Sequence, residues 1–230
     1  MKKIKFLSVL LSTMLILGSC GMNNTAKGGL IGAGSGAGVG AGIGAIFGGG
    51  KGAAIGAAVG TAVGTTAGVL IGRKMDKAAE QAKAIEGAQV EDVTDANGLQ
   101  AVKVTFDSGI LFGFNSSTLS TNAKNSLSDF SRILRENPTM DIAIYGYTDN
   151  VGTYEANQSV SNKRAKAVES YLRSMNVSGS QFKYVEGRGW EEPVASNDTE
   201  TGRAQNRRVE VFMYASEKMI KDAQAEAGSN

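Results

Sequence analysis

The chain has 230 residues, and its 24 basic and 22 acidic residues give a formal net charge of +2. The absence of histidine excludes Ser-His-Asp and Cys-His catalytic arrangements and any metal site with imidazole ligands. The single cysteine excludes an intramolecular disulfide and the zinc and iron–sulfur sites built from several cysteines. The near balance of charge gives no general indication of nucleic-acid binding.

The N-terminus has the organisation of a secretory signal. Lysines near the start precede an apolar run over residues 6–17, and small residues follow it. This run is too short to span a bilayer, so we interpret residues 1–19 as a cleaved signal peptide. The sequence Leu17-Gly18-Ser19-Cys20 resembles the lipobox of bacterial lipoproteins, which implies cleavage before Cys20 and attachment of fatty acyl chains such as palmitate. The alternative is an ordinary signal peptide with an incidental cysteine.

Residues 20–27 are then the lipidated N-terminus. Two or more acyl chains anchor a protein stably in a membrane, whereas one chain is marginal. No acidic residue directly follows Cys20. In lipoproteins an aspartate at that place often marks retention in the inner membrane, so we expect the outer membrane.

Glycine recurs at every fourth position through residues 28–72. The positions are Gly28, Gly32, Gly36, Gly40, Gly44, Gly48, Gly52, Gly56, Gly60, Gly64, Gly68 and Gly72. A period of four lines one face of a helix and lets two helix backbones approach closely. Lys51 divides the run into two uncharged segments, 28–48 and 52–72, each about 31 Å long as a helix. We therefore predict a glycine-zipper helical hairpin, stabilised by a membrane or by self-association. The alternatives are a flexible glycine-rich linker and an oligomeric pore.

Residues 73–98 are predicted to be a linker between the zipper and a folded domain. A stretch rich in Ala, Lys and Glu indicates a short exposed helix from Met75 to about Ala88. Residues 87–98 are acidic and typical of turns, and we place the domain boundary there.

Residues 99–215 show the periodicities of a compact domain. Strands are predicted over residues 101–106, 141–146, 182–186 and 209–214, and the first could extend through residues 110–112. Helices are predicted over residues 120–137 and 154–175. This order indicates an α+β fold, a β-α-β-α-β-β sandwich with helices on one face of a mixed sheet. Residues 216–230 are predicted to form a solvated, helical C-terminal tail.

Five motifs in this domain resemble those of the OmpA C-terminal domain. They are, in chain order, residues 112–119 (F-x-F-x-x-x-x-L), residues 146–152 (G-Y-T-D-N-V-G), residues 157–165 (N-x-x-V-S-x-x-R-A), residues 187–193 (G-R-G…P) and residues 202–210 (G-R-x-x-N-R-R-V-E). The glycine-rich run is similar to the zipper that precedes this domain in some OmpA-like lipoproteins.

The resemblance implies non-covalent binding of peptidoglycan through the diaminopimelate of its stem peptide. By the family's pattern, Asp149 binds the ammonium group and Arg164 binds the carboxylate. Arginine can hold a carboxylate with two parallel hydrogen bonds, which lysine cannot. The alternative is that Asp149 and Arg164 form only a surface salt bridge.

Further residues of the same motifs complete the expected site. Asn157 is expected to shape the loop or contact the peptide, and Thr148 and Gly146 are expected to position backbone amides near the ligand. Tyr147, which stands in the loop where the family has histidine, is also expected in the site, and Asn115 stands where the family has aspartate. Both changes put the fine specificity in doubt.

Two other features admit a structural and a binding interpretation. Arg207 and Arg208 precede a terminal strand, and we favour a structural role, with Arg208 pairing across the sheet. For Trp190 we favour a core or edge position over stacking on a sugar.

These observations predict an outer-membrane lipoprotein that tethers the membrane to the cell wall, with its wall-binding domain in the periplasm. Its expected partners are peptidoglycan, membrane lipid and, through the zipper, other copies of itself. We expect no catalysis, metal or cofactor, since no activated nucleophile or phosphate loop is evident. The alternatives are a zipper protein that inserts or oligomerises while its wall domain only localises it, and, less favoured, a peptidoglycan-active enzyme.

Overall fold

The computed structural model describes residues 63–95, 98–113 and 116–229. The predicted signal peptide, the lipidated N-terminus and most of the glycine repeat lie outside these ranges. Within them, no helix combines the length and apolar character needed to cross a membrane.

Five strands form one mixed sheet at the centre of the described part of the chain. They are β1 (Ala88–Thr94), β2 (Gln100–Asp107), β3 (Met140–Gly146), β4 (Phe182–Gly187) and β5 (Arg208–Ala215). Their spatial order is β1-β2-β5-β3-β4, with β3 and β4 parallel and the other neighbours antiparallel. The long connection between β3 and β4 contains a helix, as a parallel crossover requires.

Helices pack against one face of this sheet. Residues Thr65–Lys83 form α1, Ser108–Leu111 form α2, Thr121–Glu136 form α3, Tyr154–Ser174 form α4, Glu200–Asn206 form α5 and Glu217–Gly228 form α6. The hydroxyl oxygens of Ser120, Thr153, Thr199 and Ser216 each accept a backbone N–H in the first turn of a helix. Such caps explain why these four helices begin where they do.

Alternation along the strands separates two clusters of buried side chains. On β2, Val102 and Phe106 point to the helices, and the core there is built from α1, α3, α4 and α6. Ala101 points to the other face, where it joins a smaller, tyrosine-rich cluster that includes Tyr145 and Phe212. The fold class predicted from the sequence, with helices on one face of a mixed sheet, is confirmed.

Helix α1 corrects the prediction of a short exposed helix from Met75 to about Ala88. The helix begins ten residues earlier, at Thr65, and therefore joins the end of the glycine repeat to the predicted linker. Ile71 and Met75 are fully buried, and alanines continue the same stripe along α1. Spacings of three and four residues place these small apolar side chains on one side of the helix, where they contact β1, β2 and α6.

The segments on either side of the predicted domain are also more ordered than expected. Residues 88–94, predicted as turn-forming, form β1 and pair in antiparallel register with β2. Glu91 contacts Lys103 of β2 at 2.8 Å, so an acidic residue supports the pairing. The predicted solvated tail is wrong for α6, because Met219 and Ile220 are each 1% exposed. The optional extension of β2 through residues 110–112 is replaced by the short helix α2.

Candidate functional site

An open groove of about 660 Å³ lies where the loop after β3 meets α2, α4 and α5. Its lining includes five charged residues: Asp149, Arg164, Glu200, Arg203 and Arg207. The loop positions its residues because β3 ends at Gly146 and α4 begins at Tyr154, so only seven residues connect the buried strand to the helix. The groove therefore combines three guanidinium groups with two carboxylates.

Asp149 is held on both carboxylate oxygens. Its Oδ1 accepts a hydrogen bond from the backbone N–H of Val151 at 3.1 Å, and its Oδ2 accepts one from Nη1 of Arg207 at 2.7 Å. The residue is 8% exposed. Since each carboxylate oxygen can accept more than one hydrogen bond, Asp149 keeps acceptor capacity for a ligand in the groove.

Arg164 reaches the same groove from the third turn of α4. Its Nε donates to the Ser116 carbonyl at 3.2 Å, and its guanidinium lies 5.2 Å from the centroid of the Phe112 ring. Burial lowers the pKa of Arg164, the positive charge of Arg207 lowers it further, and Asp149 partly offsets these effects. Among the described residues, Arg164 forms no ion pair within 4 Å. A buried guanidinium in this situation is suited to an anionic group from outside the protein.

The sequence interpretation favoured a structural role for Arg207, and the structure places this residue in the groove lining beside Asp149. Its Nη1 contacts Asp149 at 2.7 Å and its Nη2 contacts Oε1 of Glu200 at 2.8 Å, while Arg203 also contacts Glu200 at 2.8 Å. Burial alone would lower the pKa of Arg207, but the hydrogen bonds to Asp149 and Glu200 outweigh this effect and raise it. Arg207 therefore remains charged and orients the Asp149 carboxylate.

Asn157 shapes the loop, in line with one of its two expected roles. Its side-chain amide donates to the carbonyls of Val151 and Thr153 at 2.9 and 3.1 Å, which joins the loop to the first turn of α4. Thr148 also lines the groove, and its backbone N–H donates to the Gly189 carbonyl at 2.7 Å. These two residues hold the chain around Asp149.

Gly146 and Tyr147 lie outside the groove lining, contrary to the sequence prediction. A Cβ at Gly146 would clash with the backbone of Ser161, so this glycine allows α4 to pack closely on β3. Tyr147 is buried on the opposite face of the sheet, where Arg208 lies 3.8 Å from its ring centroid and its hydroxyl donates to Glu192 at 3.2 Å. Strand alternation explains this, because side chains of consecutive residues point to opposite faces.

Arg208 and Trp190, for which the sequence admitted a structural or a binding role, both have structural environments. Arg208 forms a buried ion pair with Glu210 at 2.7 Å, two residues along the same strand rather than across the sheet. Trp190 is partly buried at the edge of the domain and meets Tyr154 edge to face, with ring centroids 5.8 Å apart. Asn115 and Cys20 lie outside the described residues.

Comparison with known proteins identifies two segments of the chain. Residues 111–207 match the model of the OmpA family, and residues 1–76 match the model of the YMGG-like Gly-zipper. The first match contains the groove residues Thr148, Asp149, Asn157, Arg164 and Arg207. The second match ends inside α1, so residues 65–76 of the matched segment pack on the domain.

Two relatives and one solved structure show where such domains occur. The chain is 37% identical over 118 residues to outer membrane protein A of Bordetella avium, an alignment that covers 51% of this chain and 60% of the relative. It is 34% identical over 108 residues to the outer-membrane lipoprotein YfiB of Pseudomonas aeruginosa, covering 47% and 64%. The chain thus spans less than two thirds of the length of these relatives. The cell wall anchor of the T6SS from Pseudomonas aeruginosa superposes with a TM-score of 0.51 and 26% identity, covering 62% of this chain and 97% of that structure.

These relatives confirm the outer-membrane localisation and the lipoprotein class that the sequence predicted. Residues 111–207 are therefore similar to the OmpA family, and a segment similar to the YMGG-like Gly-zipper precedes them.

Proposed function

We propose that the groove binds peptidoglycan non-covalently, through the zwitterionic end of the diaminopimelate in the stem peptide, and that the chain thereby tethers the outer membrane to the cell wall. In this proposal Asp149 accepts hydrogen bonds from the ammonium group of the diaminopimelate, and Arg164 binds its carboxylate. The role is one of binding, not catalysis. The solved cell wall anchor of similar fold supports a wall-binding role for this type of domain.

One observation supports the proposal most strongly. Arg164 is 6% exposed, lines the groove beside Asp149 and has no carboxylate partner among the described residues. Leaving a buried cation unpaired is costly, so a position that keeps one is selected for the group that pairs with it. A planar guanidinium also matches a carboxylate in geometry, with two parallel hydrogen bonds.

The carboxylate of Asp149 is suited to bind an ammonium group. The Asp149 carboxylate is fixed in direction by Val151 and Arg207, so a ligand nitrogen meets an oriented acceptor and little further ordering is needed. A group with both charges on one carbon satisfies Asp149 and Arg164 together. A lone ammonium satisfies only one of them and leaves the groove with excess positive charge.

The tether also needs a membrane end. Lipidation at Cys20 supplies it in this proposal, and the glycine repeat connects it to the domain. Since α1 is packed on the core, force between membrane and wall enters the domain at about Thr65 rather than through a loose linker.

A pull-down with isolated peptidoglycan tests the proposal. The full chain in detergent is mixed with sacculi, alongside Asp149→Asn and Arg164→Lys, with Asp222→Asn and Arg132→Lys as charge-matched controls on exposed helix positions. We expect the wild type and both controls to pellet, and the two groove variants to stay in the supernatant. A groove variant that pellets like the wild type, with unchanged circular dichroism, would contradict the proposed site.

Free diaminopimelate separates the ligand from the wall as a whole. Titration calorimetry should show binding to the wild type, and both groove variants should weaken it by about 2–5 kcal/mol, at least thirtyfold. Asp149→Asn leaves the ligand ammonium without its carboxylate, and Arg164→Lys loses the two parallel hydrogen bonds to the ligand carboxylate. Nα-acetyl-lysine amide, whose only charged group is the side-chain ammonium, is the control and should bind more weakly. Equal binding of both ligands would exclude the two-charge mode.

A further inference from the structure

A second groove of about 660 Å³ lies beside the first. The two share Gly109, Phe112 and Gly113 in their lining, so these three residues form a wall common to both grooves. The second groove runs along α3 and beneath the segment that joins α1 to β1. No residue of this second groove belongs to the motifs that identify the Asp149–Arg164 site, apart from the shared wall.

The chemistry of the second groove differs from that of the first. Its charged lining residues are Glu86 and Asp129, and no lysine or arginine is among the residues described there. Asn122, Asn125 and Asp129 follow each other at spacings of three and four on α3, so they present one row of side chains to the groove. Within the described part of the chain, these three side chains are exposed and form no hydrogen bond or ion pair with another residue.

An exposed apolar surface borders this row. Ile110 is 37% exposed and lies in the wall between α2 and α3. A sugar ring with hydroxyl and acetamido groups on its edge and C–H groups on its face can contact both the polar row on α3 and this apolar surface. Amide and carboxylate side chains supply donors and acceptors for the edge, and an aliphatic side chain covers the face.

We propose that this second groove, here named the α3 groove and lined by Asn122, Asn125, Asp129 and Ile110, binds the N-acetylated sugar of the same peptidoglycan strand whose stem peptide occupies the first groove. The inference rests on the proposed function and deepens it. It assigns the ligand's neutral sugar to the groove without cations and the ligand's charged peptide to the groove with three arginines.

Charge complementarity favours the sugar, and not the stem peptide, in the α3 groove. The stem peptide carries a free carboxylate on its D-glutamate, which Glu86 and Asp129 would repel in the α3 groove. The sugar carries no charge and tolerates either environment. Reach is also compatible, because two stem residues and the lactyl group separate the sugar from diaminopimelate by about 10 Å when extended.

Two soluble ligands test the inference with the full chain in detergent. The first is the stem tripeptide that ends in diaminopimelate, and the second is the same tripeptide attached to its disaccharide. The variants are the pair Asn122→Ala/Asn125→Ala and the isosteric Asp129→Asn. Arg132→Gln is the matched control, since it lies on the exposed face of α3 and lines neither groove.

We expect the wild type and Arg132→Gln to bind the disaccharide ligand about five- to thirtyfold more tightly than the bare tripeptide, as one or two added neutral hydrogen bonds provide. The α3-groove variants should lose that difference and keep the wild-type affinity for the tripeptide. Equal affinity of the wild type for both ligands overturns the inference, and so does a variant that weakens both ligands alike. If neither ligand binds the wild type, the proposed function itself has failed, which is a different result.

Discussion

Helices α1 and α4 are similar in length and both pack against the sheet, but they bury different kinds of side chain. The buried residues of α1 are alanine, glycine, isoleucine and methionine throughout. The buried residues of α4 change along the helix, from Asn157, Ser161 and Arg164 in the first half to Ala165, Val168 and Leu172 in the second. The comparison separates a helix that only stabilises the fold from one that gives up part of its apolar burial to hold a site.

The difference has a physical reason. Apolar burial contributes roughly 25 cal/mol per Å², so every position of α1 that faces the core favours folding. A buried guanidinium costs desolvation and is kept only where it serves a ligand or a pair. The first half of α4 lies at the end of β3 where the loop opens into the groove, and its second half lies over the apolar core.

The largest expected effect is on the packing of α1. Met75→Ala should lower the free energy of unfolding by about 2–5 kcal/mol, because it removes a fully buried side chain and leaves a cavity. Urea denaturation of the full chain in detergent measures this, and Lys74→Ala on the exposed side of the same helix is the control. An unchanged unfolding midpoint for Met75→Ala would show that α1 does not belong to the cooperative core.

The opposite outcome is expected at Arg164 on α4. Arg164→Met replaces a buried cation with an apolar side chain of similar length, so the free energy of unfolding should stay equal or rise. Binding to sacculi should be lost in the same variant. Parallel denaturation and pull-down measurements check both, with Arg132→Met as the control. Lower stability together with lost binding would mean that Arg164 is structural and would remove the contrast between the two helices.

A smaller effect is expected at Asn157, which belongs to both the fold and the site. Asn157→Ala removes two hydrogen bonds to loop carbonyls and should cost about 1–2 kcal/mol of stability. Affinity for the stem tripeptide should fall severalfold, since Asp149 is held by the same loop. Lys166→Ala, exposed on the same helix, is the control for denaturation and titration. A loss of stability without any change in affinity would separate the loop from the site.

A pH-dependent effect is expected at Asp141 on β3, at the end of the strand away from the groove. Burial raises the pKa of Asp141 to about 6, and Lys183, 3.6 Å away, partly opposes this. Since the native state binds the proton more tightly than the unfolded chain, stability should fall as the pH rises from about 4 to about 6. Thermal unfolding across this range should show that slope in the wild type and a weaker one in Asp141→Asn. Identical slopes would mean that Asp141 is not its source.

Much of the candidate site could be predicted because its residues lie in local motifs. Asp149 and Asn157 were identified from short sequence patterns, and both line the groove. Tyr147 and Gly146 belong to the same motif but not to the groove, because a motif lists neighbours in the chain and not the face to which each side chain points. The position of Arg207 in the groove was not predicted for the same reason. In the pair Arg207-Arg208, the strand register directs one side chain to the groove and the other to the far face of the sheet.

The sequence by itself determined the strands β2 to β5, the helices α3 and α4, their periodicity, and the charges available for a ligand, but not the short helices α2 and α5. These depend on the propensities and spacings of neighbouring residues. Only the tertiary structure decided that α1, β1 and α6 belong to the packed unit. For α1 the reason is that its stripe, mostly alanine and glycine, is too weakly apolar to indicate burial. It also decided which charged groups meet, because Asp149 and Arg207 are 58 positions apart in the chain and 2.7 Å apart in the fold.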